Sequence, residues 1–392
     1  MALLWLVLCL GLLACRGGFV YTTVKKGYER LLKLEVLQAY PDLKPSFSRP
    51  GLITYKTDDT SVLDNFFHRR HPQPFIFMRS CGLSIPSQVS TASDIIAQAR
   101  TLGQQPLGLH VWGREEEQGL KSEHPQVGID RRARIEAFRQ ELQLLGGPDL
   151  FHAEGSSEAK DNEVVLDVCV GEDGEKAFLG QHLHTAGLVG TTAFANNLLP
   201  TLTMPPESPS RAFMKIEEAI GLLGLASVMR EGHTAVEIGS APGGCVYSLL
   251  QRGLTVCGVD PCPADRTHAP IVKKSKRFSE VRTFLRNLRV DQVPPSAEWL
   301  LCDANVPGEE CIPYLVNMAA HYRPTLRALL YTCKLSDKVY DMEPQRLLAY
   351  LRETREAVLQ AGGGGLFDDV TMLTLPSHRQ EILIFAKTRL CC

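Results

Sequence analysis

The hydrophobic pattern is most informative in the second half of the chain. A short apolar run from Thr234 to Ile238 is interrupted by the glycine-rich segment Gly239 to Gly244. Apolar residues then recur at helical spacing at Val246, Leu249 and Leu250. The order predicts a strand, a tight turn and a helix, which is how a nucleotide-binding α/β unit begins.

A second apolar run, Leu254 to Val259, ends at Asp260, where such folds hydrogen-bond a ribose. The glycine spacing is not that of a dinucleotide fingerprint, and Pro242 lies at the expected helix start, so a dehydrogenase is disfavoured. The acidic Glu237 before the turn suits an amino-acid-bearing nucleoside such as S-adenosylmethionine. The alternative for this stretch is a βα turn that binds nothing.

Strands and helices alternate through the rest of this half. The predicted strands are residues 234–238, 254–259, 298–302 and 327–332, closed by Asp369 to Leu375 and Glu381 to Lys387. Such alternation predicts a parallel, doubly wound, Rossmann-like α/β sheet. We expect this domain to cover residues 210–392, after a proline-rich linker at 198–209.

Residues 19–197 are predicted to form a smaller α+β domain. The predicted strands are Phe19–Val24, Gly51–Tyr55, Pro74–Met78, Leu107–Trp112 and Glu163–Val170. The predicted helices are Tyr28–Leu37, Thr91–Leu102 and Asp130–Leu145.

Residues 1–18 form an apolar extension ahead of this domain. The uncharged run Met1 to Cys15, closed by Arg16, is typical of a signal-peptide core or a short membrane anchor. It lacks the usual preceding basic residues and is short for a spanning helix, so a buried first element or a non-native start is an equal alternative. We predict a cytoplasmic protein, or an organellar or signal-directed one if this segment is a targeting sequence.

Composition and charge limit the function classes. With 392 residues, 44% of them hydrophobic and 22% charged, the chain is an ordinary globular protein whose net charge of −2 gives no general attraction to nucleic acid. The 12 cysteines show no Cys-x-x-Cys spacing, so they indicate buried thiols in a reducing compartment, and no metal site is predicted.

Binding to RNA must therefore come from local basic clusters. The main one is Lys273, Lys274, Lys276 and Arg277, followed at near-helical spacing by Arg282, Arg286 and Arg289. Smaller clusters occur at residues 68–71 and 131–134. Such a run is usually a solvated face, but beside a reaction crevice it equally favours contacts to phosphate.

Ionisable residues lie at element ends throughout the second domain. Lys215 starts the helix before the glycine strand, Asp303 and Lys334 each end an apolar run, and Glu381 opens the last strand. Because carboxyl ends of parallel strands line the ligand crevice, Asp303 and Lys334 should converge there. A partly desolvated lysine beside a second cation can act as a general base toward a hydroxyl. The alternative for each residue is a solvated charge.

Together these segments resemble the ribosomal-RNA 2′-O-ribose methyltransferases of the FtsJ/RlmM type over residues 208–390. The matching stretches are Pro209–Ala219, Glu237–Gly244, Val259–Pro263, Trp299–Asp303, Cys333–Leu335 and Arg379–Glu381. Residues 19–197 resemble the ferredoxin-like and THUMP-like (RNA-binding) region of that family only in the order of strands and helices.

The resemblance implies a site and an activity. The order Lys215, Asp303, Lys334, Glu381 is that of the family's catalytic tetrad, with Lys334 as proton acceptor for the ribose 2′-hydroxyl. S-adenosylmethionine would be bound by Glu237, Gly239, Ala241, Pro242, Gly243, Gly244, Asp260, Glu280 and Asp303. Two departures bear on donor affinity, because Glu237 replaces an aspartate and Cys245 replaces a tryptophan.

The leading hypothesis is an S-adenosylmethionine-dependent methyltransferase of large-subunit ribosomal RNA that needs no metal. One alternative is a catalytically silent RNA-binding or ribosome-assembly protein, which the intact tetrad argues against. Another is a methyltransferase for a small hydroxyl compound, which would not need the large first domain.

Overall fold

The structure is a computed structural model in which the chain divides into two compact units, Met1–Pro200 and Thr201–Cys392. The residues it describes are 18–71, 75–89, 91–102, 106–113, 125–152, 163–171, 177–184, 202, 204–263, 267–335, 339, 342–360, 364–375, 377–378 and 380–391, with side chains at 87, 88 and 125–132 left out. The apolar run Met1 to Arg16 and the linker residues 198–201 and 203 therefore lie outside the described residues. Within those ranges, no helix combines the length and apolar character that crossing a bilayer requires.

The first unit is built on one mixed sheet. Its strands are β1 (Gly18–Thr23), β2 (Lys44–Arg49), β3 (Leu52–Thr57), β4 (Ser80–Val89), β5 (Gly108–Gly113), β6 (Val164–Val170) and β7 (Ala177–Leu183). Its helices are α1 (Glu29–Ala39), α2 (Thr60–Phe67), α3 (Ala92–Ala99) and α4 (Pro125–Gly146). The strand order is β2-β3-β1-β4-β7-β6-β5, in which only β5 and β6 pair in parallel.

The strand predicted at Pro74 to Met78 is wrong where the structure describes it. Phe75 and Phe77 are buried, which explains the apolar pattern, but they do not pair with a strand. Instead, the Glu35 carboxylate accepts the backbone N–H groups of Ile76 and Phe77 at 2.9 and 3.0 Å. A side chain of α1 thus accepts the backbone N–H groups that would otherwise pair with a neighbouring strand. The strand that follows, β4, begins at Ser80.

The second unit contains the predicted α/β sheet. Its strands are β8 (Thr234–Ile238), β9 (Thr255–Val259), β10 (Phe278–Val281), β11 (Trp299–Cys302), β12 (Ala328–Lys334), β13 (Asp369–Leu373) and β14 (Glu381–Lys387). Its helices are α5 (Ala212–Leu222), α6 (Gly244–Gln251), α7 (Pro270–Lys273), α8 (Gly308–His321) and α9 (Pro344–Leu359). The order is β10-β9-β8-β11-β12-β14-β13, so the direction of winding reverses between β8 and β11.

Two features of this sheet differ from the sequence prediction. The closing strand β14 inserts antiparallel between β12 and β13, which makes the sheet mixed and not wholly parallel. The near-helical spacing of Arg282, Arg286 and Arg289 does not correspond to an α-helix, because the segment that follows β10 forms the single-turn 3₁₀ helices Leu285–Asn287 and Val290–Gln292. The short edge strand β10 has no continuous apolar run that would have revealed it.

Candidate active site

Four charged side chains form a closed ring at the carboxyl edge of the second sheet. Lys334 Nζ lies 2.7 Å from Asp303 Oδ1 and 2.5 Å from Glu381 Oε1. Lys215 Nζ lies 3.0 Å from the same Asp303 oxygen and 2.9 Å from the same Glu381 oxygen. Each ammonium group therefore contacts both carboxylates, and the formal charges of the ring cancel.

The topology of the sheet brings these residues together from distant parts of the chain. Lys334 and Glu381 are register partners on the antiparallel strands β12 and β14. Asp303 directly follows β11, which is parallel to β12, and Lys215 lies in the first turn of α5. The four residues predicted at element ends thus meet, with Asp303 beside the point between β8 and β11 where the sheet reverses its winding.

The ring holds Lys334 in its charged form. Burial alone would lower the pKa of Lys334, but Asp303 and Glu381 outweigh it and raise that pKa well above its usual value. Burial would likewise raise the pKa of Glu381, but the positive charge of Lys334, with smaller contributions from His378 and Lys215, lowers it to about 2. Because both carboxylates lie within 2.7 Å of Lys334 Nζ, the net shift of its pKa is upward.

Two acidic residues beside Lys215 fix the surroundings of the ring. Glu218 is buried and accepts hydrogen bonds from the Ser377 backbone N–H at 2.9 Å and hydroxyl at 2.7 Å, which ties α5 to the segment before Glu381. Glu217 accepts from Arg252 Nη2 at 2.6 Å and so ties α5 to the end of α6. Neither role was predicted from the sequence, although both residues lie in Pro209–Ala219, one of the stretches that resemble the FtsJ/RlmM family.

The glycine turn approaches other parts of the protein closely. Gly239 has φ +78°, and an added Cβ would lie 2.5 Å from both the N and Cα atoms of Ala304. At Gly243, with φ +111°, a Cβ would meet Val272 at 2.9 Å, and at Gly244 it would overlap the Ser210 hydroxyl. The space behind these glycines is thus filled by protein, so substituting any of them tests the fold as well as a ligand pocket.

Acidic side chains follow the neighbouring strands. Asp260 is buried after β9 and accepts the backbone N–H groups of Ala241 at 3.2 Å and Cys262 at 2.8 Å. Pro242 follows Ala241 in the same turn and accepts the Ala269 N–H at 3.0 Å through its carbonyl oxygen. Glu280 on β10 bonds Arg282 Nε at 3.0 Å. The structure therefore brings residues that were predicted to bind S-adenosylmethionine, from the ends of β8, β9 and β10, to one edge of the sheet.

His268 connects these strand ends and was not identified from the sequence. It is buried, and its Nε2 lies 2.8 Å from the Ser240 hydroxyl, while its Nδ1 lies 3.3 Å from Glu280 Oε1 and 3.5 Å from Cys262 Sγ. Cys262, His268 and Glu280 are also one of two described groups whose ligand atoms lie close enough to hold a metal ion; the other is in the first unit.

Glu237 lies apart from this edge, in the interior. Only 1% of its surface is exposed, and it lines a cavity together with Lys215, Asp303 and Cys245. Its Oε2 has no hydrogen-bond partner among the described residues. Burial raises the pKa of Glu237 well above its usual range, and the nearby Asp303 and Asp260 add to the shift. Burial therefore favours the protonated, neutral form of this side chain.

The raised pKa of Glu237 predicts that the free energy of unfolding depends on pH. Above pH ~4.3 the unfolded chain releases the Glu237 proton while the folded chain retains it, so stability falls as pH rises. Glu237→Gln removes this penalty, which reaches about 1.4 kcal/mol per pH unit. The variant should gain stability over wild type between pH 5 and 8 in denaturant titrations, whereas Glu353→Gln, an exposed control, should not. Parallel curves for wild type and Glu237→Gln would contradict the assignment.

The basic cluster of Lys273, Lys274, Lys276 and Arg277 is exposed and lies next to β10, which is an edge strand of the sheet. Lys273 ends α7, and Lys274, Lys276 and Arg277 follow it before β10. The three lysines make no ion pair with any described residue, whereas Arg277 Nη2 pairs with Glu231 at 2.8 Å. In the first unit, the predicted cluster at 68–71 is not an open patch, because Arg69 is buried and donates to Cys81 O at 2.9 Å.

Comparison with known proteins identifies the class of the second unit. Residues 209–348 match the family model of the FtsJ-like methyltransferases. The second unit therefore contains an FtsJ-like methyltransferase domain, which confirms the resemblance, the Rossmann-like fold and the methyltransferase class expected from the sequence.

The curated relatives are named as methyltransferases of large-subunit ribosomal RNA. A segment of 114 residues, 27% of this chain, is 37% identical to the ribosomal RNA large subunit methyltransferase M of Alkalilimnicola ehrlichii and covers 28% of it. The enzyme of the same name from Halorhodospira halophila is 35% identical over 190 residues, 48% of this chain and 50% of the relative. The chain thus spans between about a quarter and a half of the curated relatives it matches.

Solved structures add no further argument. The magnesium protoporphyrin IX methyltransferase of Synechocystis PCC 6803 with bound S-adenosylmethionine superposes with a TM-score of 0.30 at 15% identity, covering 45% of this chain and 80% of that one.

Proposed function

We propose that this protein transfers a methyl group from S-adenosylmethionine to a ribose 2′-hydroxyl of RNA, with large-subunit ribosomal RNA as the substrate. The observation that carries the proposal is the ring of Lys215, Asp303, Lys334 and Glu381 at the reversal point of a methyltransferase sheet. The relatives named for ribosomal RNA support the choice of substrate. The catalytically silent alternative is disfavoured because all four side chains are present and in contact.

The residues at the sheet edge fit the chemistry of the methyl donor. The donor is a nucleoside that carries an amino acid, and it supplies an electrophilic methyl group when bound. Asp260 would accept hydrogen bonds from ribose hydroxyls, since a carboxylate oxygen can accept a second donor beside the backbone N–H it already accepts. Glu280 would contact the adenine, and the turn Gly239 to Gly244 would border the methionine moiety.

Lys334 would accept the proton of the attacking hydroxyl. Its amine must first be neutral, and the two carboxylates oppose this by raising its pKa. Below that pKa the neutral fraction grows tenfold with each pH unit, so the rate should rise with pH through the neutral range. Asp303 and Glu381 would also fix the direction of the amine, and Lys215 would hold both carboxylates in place.

The basic cluster offers a surface for the RNA backbone. Lys273, Lys274 and Lys276 are exposed and unpaired among the described residues, which leaves their charges available to phosphates. Farther along the same edge, Phe284 is 51% exposed and carries the Arg286 guanidinium 4.9 Å above its ring. An exposed aromatic ring beside positive charge suits a single-stranded base.

Neutralising the lysine cluster should weaken RNA binding specifically. Changing Lys273, Lys274 and Lys276 to glutamine should lower the slope of log affinity against log salt by roughly 0.7 for each phosphate that is no longer neutralised. Changing the same residues to arginine keeps the charge and should preserve the slope, and neither set should alter donor binding. A slope that is the same in all three proteins would show that the cluster is only a solvated face.

A transfer assay tests the function as a whole. Calorimetric titration with S-adenosylmethionine measures donor binding, and incubation with labelled donor and ribosomal RNA measures transfer. We expect donor binding and incorporation of label into RNA. Donor binding without transfer to any RNA would support the silent alternative, and absence of donor binding would refute the proposal.

A further inference from the structure

A second group of chemically reactive side chains lies within the first unit. His110 on β5, Asp167 on β6 and His182 on β7 come from three adjacent strands, and each is buried, with Asp167 and His182 fully so. Tyr21 reaches them from β1 and donates its hydroxyl to Asp167 Oδ2 at 2.6 Å. Its ring occupies the place of a side chain at Gly180, where an added Cβ would overlap the ring.

The two imidazoles converge on the carboxylate through the same ring atom. His182 Nδ1 lies 2.6 Å from Asp167 Oδ2, and His110 Nδ1 lies 3.4 Å from Asp167 Oδ1. One nitrogen from each histidine and one oxygen of Asp167 all lie within 4.8 Å of one another. Two imidazole nitrogens and a carboxylate oxygen are the donor set of many three-ligand zinc sites.

The internal hydrogen bonds leave this buried group incomplete. The contact of His110 Nδ1 with Asp167 Oδ1 at 3.4 Å is not a hydrogen bond, so this oxygen and His182 Nε2 have no hydrogen-bond partner within the described part of the chain. A buried carboxylate oxygen without a donor is costly, and a bound cation would remove that cost. Arg69 is buried nearby, and its positive charge would oppose a second cation and weaken the site.

We propose that His110, Asp167 and His182 bind a divalent zinc ion in the first unit. Both histidines would coordinate through Nδ1, and the proton now shared between His182 Nδ1 and Asp167 would move to His182 Nε2, so no net proton is lost. The Tyr21 hydroxyl would remain on Asp167 and orient the ligating carboxylate. All of the residues of this site lie in the first unit, whereas the four charged residues of the candidate active site lie in the second.

Equilibrium dialysis of the full chain against zinc chloride tests the proposal. The metal-free protein should take up one zinc ion per chain, and zinc should raise its thermal midpoint by mass action. His182→Gln should lose the ion. His268→Gln, which disables the other described group of potential ligands, should keep it. Cobalt binding, read by its visible absorption, gives a second readout of nitrogen and oxygen coordination.

Tyr21→Phe separates loss of the site from loss of the fold. It keeps all three ligands and removes only the hydrogen bond to Asp167, so zinc should still bind, about 10–100-fold more weakly. If the wild-type chain takes up no zinc at micromolar concentrations and its thermal midpoint does not move, the proposal is overturned. Loss of zinc in His268→Gln with retention in His182→Gln would overturn it as well.

Discussion

Replacing Lys334 by arginine should abolish methyl transfer while leaving the donor bound. Arginine keeps the positive charge and the ion pairs with Asp303 and Glu381, but it does not lose its proton in a protein, so it cannot act as a base. Removing a general base typically costs ~10²–10⁴-fold in rate. Lys334→Met should be at least as inactive. Single-turnover rates on RNA, with donor binding measured calorimetrically, would detect the loss.

Lys215→Arg is the matched control, because Lys215 contacts the same two carboxylate oxygens and its side chain is 18% exposed against 17% for Lys334. It should retain measurable activity and the rise of rate with pH. If Lys334→Arg retained most of the wild-type rate, the lysine would not be the base. Catalysis would then rest on positioning of the substrates alone.

Gly239→Ala should damage both the fold and the activity of the second unit. The backbone there has φ +78°, which costs an alanine ~1–2 kcal/mol. Its Cβ would also lie 2.5 Å from the Ala304 backbone, and forcing these segments apart adds ~1–3 kcal/mol. The shift would move the neighbouring Asp303, and a displacement of ~1 Å at a reacting group can cost ~10²-fold in rate.

Gly232→Ala isolates the contribution of the close approach. Gly232 has φ +86°, but an added Cβ would meet nothing within 4 Å. Gly232→Ala should therefore lose only the stability that the positive φ costs an alanine, and it should keep its activity. Equal losses of unfolding free energy in the two variants, with the rate on RNA unchanged in both, would show that the close approach of the glycine turn to Ala304 is not needed.

Part of the active site could be predicted because the carboxyl ends of parallel strands lie along one edge of a sheet. Lys334 and Asp303 end apolar runs, and parallel strands bring such ends to one edge, so their convergence followed from the pattern. That Glu381 faces Lys334 depends on the antiparallel insertion of β14, which no local pattern encodes. The sign of the Lys334 pKa shift depends on distances of 2.5–2.7 Å, which only the folded chain provides.

Residues whose partners lie on other elements were the ones missed. Phe75 and Phe77 have the apolar pattern of a strand, yet their segment is held by a carboxylate from α1. Arg69 stands in a basic run but is buried against β4. His110, Asp167 and His182 are remote in sequence and meet only because β5, β6 and β7 pair. A search for closely spaced metal ligands in the sequence therefore could not find this group. The THUMP-like character of the first unit stays a prediction.

The position of the transferred methyl group tests the central claim most directly. Large-subunit ribosomal RNA methylated by the wild-type chain should be hydrolysed with alkali, which cleaves only next to a free 2′-hydroxyl. If the methyl group is on the ribose, all of the label should appear in alkali-resistant dinucleotides, and Lys334→Arg should yield none. Label recovered in mononucleotides would place the methyl group on a base and contradict the assignment of this site to ribose methylation.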